Sequence, residues 1–486
     1  MCGILLVRSR DKIPLQKHFD ALKQIQSRGP DFMRYRHENG IFIGHTVLHI
    51  TGDREYYDNS HRNFLAYNGE IYNYRDLGAY RTDTEFVHEC VENDLGRLTA
   101  GWGPWAWAWT DSETVLYASD PQGERALYQY QDDNILIVCS EVAPILSYID
   151  GIKQAQSYET RNWTMLDTTP WQGIVKCVPG MLYRDGHPSG IIDSIWSWVK
   201  EPQHVTEDEA YEDFSSIWCD VMRQMTPACP AGLTYSGGLD SSIILSHLPG
   251  AYLYTTNMQG KDPIAERVEG FLNAGEQRRL ARFDVNEQDF AQAFGACQTR
   301  IRMPIQSPSF VGQWLIAALC GQRVLFTGIG ADELFGGYPV YDRMDFVSSE
   351  SASPYSLGTP LWRQCLDTCS GDAEAATLLA DYWHQIVGCD ARGVDMICGS
   401  HGIEARSPFL ATPVIRFALN LPMYLRRGKP LIRRMFLERW NESQIHAKKG
   451  FTGHCNDALP WMGIEIVPTG DRQSDWRQII QTCFYS

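Results

Sequence analysis

No stretch of the 486 residues is long and apolar enough to span a bilayer, and the first residues lack the basic flank and apolar core of a secretory signal. Positive charge is scarce: 43 Lys and Arg against 59 Asp and Glu give a formal net charge of -16. That balance argues against a nucleic-acid partner, whose surface needs a basic stripe. No Cys-x-x-Cys pair, His-Glu-x-x-His string or Cys/His cluster marks a zinc site. The 14 cysteines are scattered over a large chain, the usage expected of reduced thiols in a cytoplasm. Internal repeats and low-complexity tracts are absent too. What the chain does have is 44% hydrophobic and 12% aromatic residues, enough to fill two cores at a length beyond what one core usually organises.

The chemistry starts at the second residue. Removing Met1 would make Cys2 N-terminal, and its α-amine, titrating near about pH 8, could then take the proton of its own thiol as the sulfur attacks a carbonyl carbon. The plain alternative is a cysteine that follows the initiator by chance. Arg28-Gly29-Pro30-Asp31 comes after an amphipathic stretch with Phe19, Leu22 and Ile25 at helical spacing, and Asn68-Gly69-Glu70-Ile71-Tyr72-Asn73 comes after a strand-like run at 63–67. Asn68-Gly69 has two readings: a hairpin turn, which Asn-Gly serves by tolerating positive φ, or an oxyanion hole in which the Asn68 amide and the Gly69 N–H meet the oxygen that turns negative when a thiolate adds to an amide. Thr82-Asp83-Thr84-Glu85 offers a carboxylate for a substrate ammonium, or a helix N-cap at Asp83.

A second constellation lies beyond residue 230. An apolar strand at 231–235, the turn Ser236-Gly237-Gly238-Leu239-Asp240-Ser241-Ser242 and an apolar helix beginning at 243–248 make a phosphate cradle. Its glycines let the backbone approach oxyanions, and Ser236, Ser241 and Ser242 add hydroxyl donors. No lysine follows the glycines, so this is not a Walker loop. A further strand at 323–326 opens into Thr327-Gly328-Ile329-Gly330-Ala331-Asp332-Glu333-Leu334-Phe335-Gly336-Gly337-Tyr338.

The Met-Cys-Gly-Ile start with RGPD, NGEIYN and DTE in that order resembles a class II glutamine amidotransferase domain. The SGGLDSS turn resembles the pyrophosphate loop of enzymes that split ATP between its α and β phosphates, and the second half is similar to asparagine synthetases. That family's Gly-x-Gly-x-Asp-Glu-x-Phe-Gly-Gly-Tyr string stands at 328–338, its GxEARxPFL string at 402–410, and further elements at Gly428-Lys429 with Arg433 and at Lys448. The resemblance implies Cys2 as the nucleophile that hydrolyses glutamine, Asn68 and Gly69 as the oxyanion hole, and Glu70 and Asp83 on the glutamine head group. It also implies ATP bound by Ser236, Gly237, Gly238, Asp240, Ser241, Ser242, Gly328 and Gly330, Mg²⁺ held by Asp240 and Asp332, and Lys448 against the departing pyrophosphate. Three departures stand out. Val47 replaces the arginine that clamps the glutamine carboxylate, a directional pairing no apolar side chain reproduces, and Arg54 is the nearest substitute. Ile329 replaces a glutamate near the acyl-adenylate, and Ala411 replaces the Asp that ends the third string. The overall flavour is that of asparagine-synthetase-domain-containing proteins.

The expected fold is α/β in two parts: an N-terminal-nucleophile (Ntn) αββα sandwich over 1–190, a linker over 191–206, and a doubly wound parallel-sheet ATP-pyrophosphatase domain over 207–486. Alternating segments at 40–50 and 115–118, with a return strand at 135–139, predict the antiparallel sheets. The amphipathic stretch 207–224 predicts the first helix of the second domain, alternating strand and helix predict its parallel sheet, and 348–360 reads as a loop. Cys365 and Cys369, at helical spacing, read as redox partners or as packed core thiols.

The expected function is a glutamine-dependent carbon–nitrogen ligase that activates a carboxylate, aspartate or a more specialised acid, as acyl-AMP and amidates it with ammonia from glutamine. Its expected setting is the cytoplasm, free of membrane and nucleic acid, with a homodimer left open. The rivals are an amide ligase for another amine or acceptor, a synthetase driven by free ammonia, and a non-catalytic ATP-binding scaffold.

Overall fold

The computed structural model describes residues 1–50, 63–153, 169–200, 205–258, 272–305, 307–338, 341, 360–442 and 445. Arg54, Lys448 and nearly all of the 348–360 loop lie outside the described residues. Two antiparallel sheets form the N-terminal part. The first runs in the order β2 (Phe32–Glu38), β3 (Ile41–Val47), β1 (Gly3–Ser9), β8 (Ile135–Cys139), β7 (Tyr128–Gln131) and β9 (Ile174–Lys176). The second runs β11 (His187–Ile191), β10 (Met181–Arg184), β6 (Val115–Ser119), β5 (Trp105–Thr110) and β4 (Phe64–Gly69).

Alternation of side chains across the pleat sorts these strands into layers. On β1, Ile4 and Leu6 join Ile43, Ala66, Ala106, Ala108 and Val138 in the seam between the sheets, while Leu5 and Val7 turn outward to Ala21, Leu22 and Phe42 around helix Leu15–Lys23. β5, Trp-Ala-Trp-Ala-Trp-Thr, shows the same logic by size. Its alanines face the seam, and Trp105, Trp107 and Trp109 fill the layer beneath helix Asp83–Asn93 with Phe86, Val87 and Cys90. The result is the expected αββα sandwich. Burial on both faces also explains why β1 and β5 read as continuous apolar runs.

The second part is built on a parallel sheet in the order β14 (Leu280–Val285), β13 (Tyr252–Met258), β12 (Ala231–Thr234), β15 (Val324–Phe326) and β16 (Glu404–Arg406). From β12 the chain winds to β13 on one side, and β15 lies on the other, so a crevice opens at the carboxyl ends of β12 and β15. The glycine loops after residues 234 and 326 leave from those two ends. Helix Glu207–Met225 leads into the sheet, started by a capping box between Thr206 and Glu209. Within the segment expected to be a polar linker, Ile195 and Trp198 are buried in the same core as Trp218 and Phe409, so this stretch is packed rather than a solvated tether.

The two parts share apolar packing: Met1, Ile25 and Phe42 belong to the same buried cluster as Val311, Val394, Ile397 and Ala405. Helix Ala373–Asp381 continues through widened π-type turns at Tyr382–Asp390 into helix Ala391–Ser400. A π-type turn leaves carbonyls offset from the regular ladder, and the Val387 carbonyl accepts from Lys176 Nζ at 3.2 Å, across the two parts. Cys365 is fully buried and both it and Cys369 are free thiols, the packed-core alternative.

One glycine controls how the N-terminal site is assembled. At Gly29 a Cβ would fall 2.2 Å from the Thr46 carbonyl carbon and the Val47 nitrogen, so the Arg28–Pro30 turn lies directly on the β3 backbone. Gly29→Ala should therefore cost about 1–3 kcal/mol, the usual penalty of overpacking, read as a lower melting temperature. An unchanged melt would show that the turn can lift away without cost.

Candidate functional site

Cys2 immediately precedes β1, and three contacts fix its backbone and thiol. Its N–H donates to Asn68 Oδ1 at 2.8 Å, its carbonyl accepts from Arg28 Nε at 2.9 Å, and its Sγ lies 3.9 Å from the Leu48 carbonyl. β4 continues through Asn68 and Gly69, which pair with Ala106 and Trp105. The hairpin-turn reading of Asn-Gly is thereby replaced by a strand end. Asn68 is fully buried, and its Nδ2 has no hydrogen-bond partner among the described residues. A buried donor left unpaired costs about 1–3 kcal/mol, so an amide with one end on the Cys2 backbone and the other end idle suits an oxygen that arrives during reaction. Burial pushes the Cys2 thiol up, only partly opposed by the neighbouring amine.

The other predicted residues separate. Thr82, not Asp83, is the N-cap, accepting from Glu85 N at 3.1 Å. Asp83 accepts from Tyr67 Oη at 3.0 Å, Ile71 N at 3.2 Å and Thr84 N at 2.8 Å, and burial raises its carboxyl to about 6. It thus ties the Asn68–Ile71 segment to the start of its helix. Glu70 is buried with Arg406 Nη2 of the second part 3.7 Å away, and Val47 is fully buried at the end of β3.

Sequence reasoning missed the charges between the parts. Arg28, without exposure, reaches Glu141 at 3.3 Å and Asp395 at 2.7 Å besides the Cys2 carbonyl. Arg125 lies 3.3 Å from Asp395, Arg300 pairs with Glu141, and Arg406 lies 2.8 Å from Glu404, whose other oxygen is 3.7 Å from the Met1 amine. Burial acts to raise the Glu404 carboxyl, but Arg406, the Met1 amine and Arg125 outweigh it and hold the group below its ordinary range. The sequence signals for this network were the RGPD string, which holds Arg28, and the string at 402–410, which holds Glu404 and Arg406.

In the second part the Ser236–Ser242 loop leads into helix Leu239–His247, with Gly238 as N-cap. Ser241 Oγ lies 3.2 Å from both Ser236 Oγ and the Gly238 carbonyl, so these hydroxyls brace the loop. Ser242 is fully buried, with its hydroxyl 3.4 Å from Tyr235 Oη. Gly328 rides over Asp240, where a Cβ would stand 3.3 Å from the Asp240 Cβ, and Gly330 caps helix Ala331–Phe335 with Asp332 in its first turn. Asp240 and Asp332 do come together: Lys429 Nζ is 2.5 Å from one Oδ1 and 2.6 Å from the other. Two carboxylate oxygens converging on one cation-sized position suit Mg²⁺, a hard ion that takes one or two carboxylates and fills its remaining positions with water and phosphate oxygens. Among the described residues no cluster of three or more Cys, His, Asp or Glu forms a self-contained metal site. Ile329 is partly buried against both large cores, and Ala411 is the N-cap of helix Thr412–Leu419.

Fold and sites together define a two-part chain: an αββα sandwich with Cys2 immediately before its first strand, set against a parallel-sheet domain with a glycine-rich strand-to-helix loop and paired aspartates. Residues 1–189 match the glutamine amidotransferase domain family and residues 220–455 match asparagine synthase. The asparagine synthase match covers just under half of the chain, and the glutamine amidotransferase match precedes it. The chain is 24% identical over 387 residues to a putative glutamine-hydrolysing asparagine synthetase 1 of Methanocaldococcus jannaschii, covering 74% of this chain and 65% of that one. It is 26% identical over 400 residues to the amidase chry2 of Gibberella zeae, covering 71% and 58%, and 24% identical over 509 residues to rat glutamine-hydrolysing asparagine synthetase, covering 92% and 82%. The chain thus spans somewhat under two thirds of the first two relatives. A solved glutamine phosphoribosylpyrophosphate amidotransferase of B. subtilis overlaps 58% of the chain at 13% identity with a TM-score of 0.29, too slight to bear on the argument.

Glu333, beside Asp332, gives a pH test. Burial pushes its carboxyl from 4.5 to about 7, against a hydrogen bond from Tyr338 Oη at 2.6 Å. The folded chain holds this proton more tightly than the unfolded chain, so the contribution is full below 4.5 and is lost as pH rises through about 7. Glu333→Gln removes that titration. Its melting temperature should gain on the wild type as pH rises from about 5 to about 7.5, whereas a constant offset across that window would contradict the assignment.

Proposed function

We propose that this chain is a glutamine-dependent carbon–nitrogen ligase of the asparagine synthetase type, with domains at 1–190 and 207–486 joined by 191–206. The observation that carries the reading is Asn68: its Oδ1 holds the Cys2 N–H while its buried Nδ2 has no hydrogen-bond partner among the described residues. After loss of Met1, the freed Cys2 amine takes the thiol proton and Sγ attacks the glutamine side-chain carbonyl. Asn68 Nδ2 and the Gly69 N–H meet the oxyanion. Ammonia leaves, and water releases glutamate from the thioester.

In the second domain the acceptor carboxylate attacks the α-phosphorus of ATP, giving acyl-AMP and pyrophosphate. Ammonia then displaces AMP to form the amide. The 236–242 loop, with Gly328 and Gly330, receives the phosphates, and Lys448 supports the leaving pyrophosphate. Asp240 and Asp332 would hold Mg²⁺, which supplies charge neutralisation at the departing pyrophosphate. Adenylation and a cytoplasmic setting belong to the same proposal; no helix among the described residues is long and apolar enough to cross a membrane.

A specific observation favours an acceptor other than aspartate. Ile329 packs against both apolar cores where the asparagine synthetase string has a glutamate, so that position offers neither charge nor proton transfer. The name of the Gibberella zeae relative, an amidase, is compatible with such divergence.

Glutamine-supported amide formation should vanish in Cys2→Ala while ammonium salt still supports release of AMP and pyrophosphate. Asn68→Ala should lower glutamine hydrolysis by about 10²–10³-fold and spare the ammonium reaction. Release of ADP in place of AMP, or full glutamine use by Cys2→Ala, would refute the reading.

A further inference from the structure

The two aspartates of the second site are bridged by a cation that belongs to the chain. Lys429 Nζ lies 2.5 Å from Asp240 Oδ1 and 2.6 Å from Asp332 Oδ1, and the lysine is buried. Its placement is built rather than incidental. Lys429 has φ 61° and ψ 47°, a left-handed conformation uncommon for a residue with a side chain, and it directly precedes Pro430, a position that ordinarily pushes the backbone toward extended geometry. Backbone strain of this kind persists where the surroundings over-determine it, and it concentrates at functional sites. The surroundings are visible. Gly428 N donates to the Gly336 carbonyl at 3.0 Å, locking the Gly-Lys turn onto the Gly-Gly turn that follows Asp332. At Gly337 a Cβ would fall 2.1 Å from Asp332 Oδ1 and 2.1 Å from Lys429 Cε, so the lysine stem passes through space that only glycine leaves open. Helix Pro430–Leu437 then carries Leu431, Ile432 and Met435 into the core and anchors the turn.

An ammonium bridging two carboxylates and a divalent cation bound to the same oxygens exclude each other by space and by like charge. We propose that Lys429 is a resident counter-ion of this cradle. It neutralises Asp240 and Asp332 while the site lacks nucleotide, keeps a divalent cation from binding first, and moves onto the nucleotide phosphates when they arrive, handing the carboxylates to the metal. The inference rests on the nucleotide-site reading above and adds an order to it: nucleotide before, or together with, metal. Lysine suits the task because its ammonium is a compact point charge on a flexible stem, able to change partners without moving the backbone.

Mn²⁺ uptake by the full-length chain, followed through the electron paramagnetic resonance signal of free Mn²⁺, tests this directly. The nucleotide-free wild type should bind Mn²⁺ weakly, and an α,β-methylene ATP analogue should recruit it beyond what the analogue binds in free solution. Lys429→Gly takes the left-handed backbone without strain, and Lys429→Met keeps the stem without its charge. Both should bind Mn²⁺ without nucleotide at least ten-fold more tightly than wild type, and adding Asp240→Asn should abolish the gain. Folded Lys429→Gly and Lys429→Met proteins, verified by circular dichroism, that gain no affinity would overturn the role of Lys429 while leaving the nucleotide site standing. A wild type that never recruits Mn²⁺ with the analogue would overturn the nucleotide site itself.

Discussion

The buried guanidinium of Arg28 is the constraint around which both halves of the molecule are arranged. One side chain binds the carbonyl of the proposed nucleophile, Glu141 at the end of the N-terminal sandwich, and Asp395 on the helix packed beneath the parallel sheet. Guanidinium planarity makes this possible, since five N–H groups leave in fixed directions and each finds an acceptor only when the three backbones hold one relative position. A buried ion pair is poor evidence for net stability, because desolvation consumes most of the attraction, but removing one partner leaves a stranded charge that costs about 3–5 kcal/mol. The network therefore acts mainly as a register. The sandwich can dock on the second domain in one way without orphaning Asp395, and that same docking places Cys2.

The position of Met1 follows from that register. Its amine is buried 3.7 Å from Glu404, and burial lowers its proton affinity despite the carboxylate. Arg406 serves the same Glu404 and approaches Glu70, the residue expected on the glutamine head group. The amino end of the sandwich is therefore solvated by charges of the other domain rather than by water. Two reactive intermediates that would hydrolyse in water, a thioester and an acyl-adenylate, make such exclusion a requirement of the proposed chemistry.

What could be read along the chain was whatever is encoded locally. The strand expected at 135–139 has those bounds in the fold, and the run at 63–67 became β4 displaced by one residue at its start and prolonged by two at its end. The prolongation matters, because Asn-Gly carries the same turn propensity whether it turns or not, and only pairing with Ala106 and Trp105 decides. The N-cap moved from Asp83 to Thr82 for a similar reason: both residues cap well, and contacts from Tyr67 and Ile71 draw Asp83 elsewhere. The segment 191–206 looked polar in composition, yet Ile195 and Trp198 are buried in a core that also holds Trp218 of the next helix and Phe409 from far along the chain. The ion pairs of Arg28 and Lys429 join residues 367 and 189 positions apart, and no spacing pattern reports a partner at that separation.

The three departures from the family pattern are not equivalent once placed. Ala411 is a helix N-cap, where an aspartate would accept from first-turn N–H groups; the change bears on how helix Thr412–Leu419 starts. Val47 ends a strand whose backbone is pressed by Gly29, and its side chain has no exposure. A charged arginine in that orientation would be buried, so a glutamine clamp at this position requires a different course of the chain immediately after β3. Ile329 alone sits between the glycines beside Asp240 and Asp332, and it is bonded into the fold by apolar contact with both cores. An apolar residue there shifts the balance of charge in the crevice toward the Asp240, Lys429 and Asp332 trio. Under the proposed chemistry, the absent glutamate leaves proton and charge handling around an acyl-adenylate to that trio and to the acceptor itself, which makes the acceptor's own chemistry the variable that sets this chain apart from asparagine synthetases.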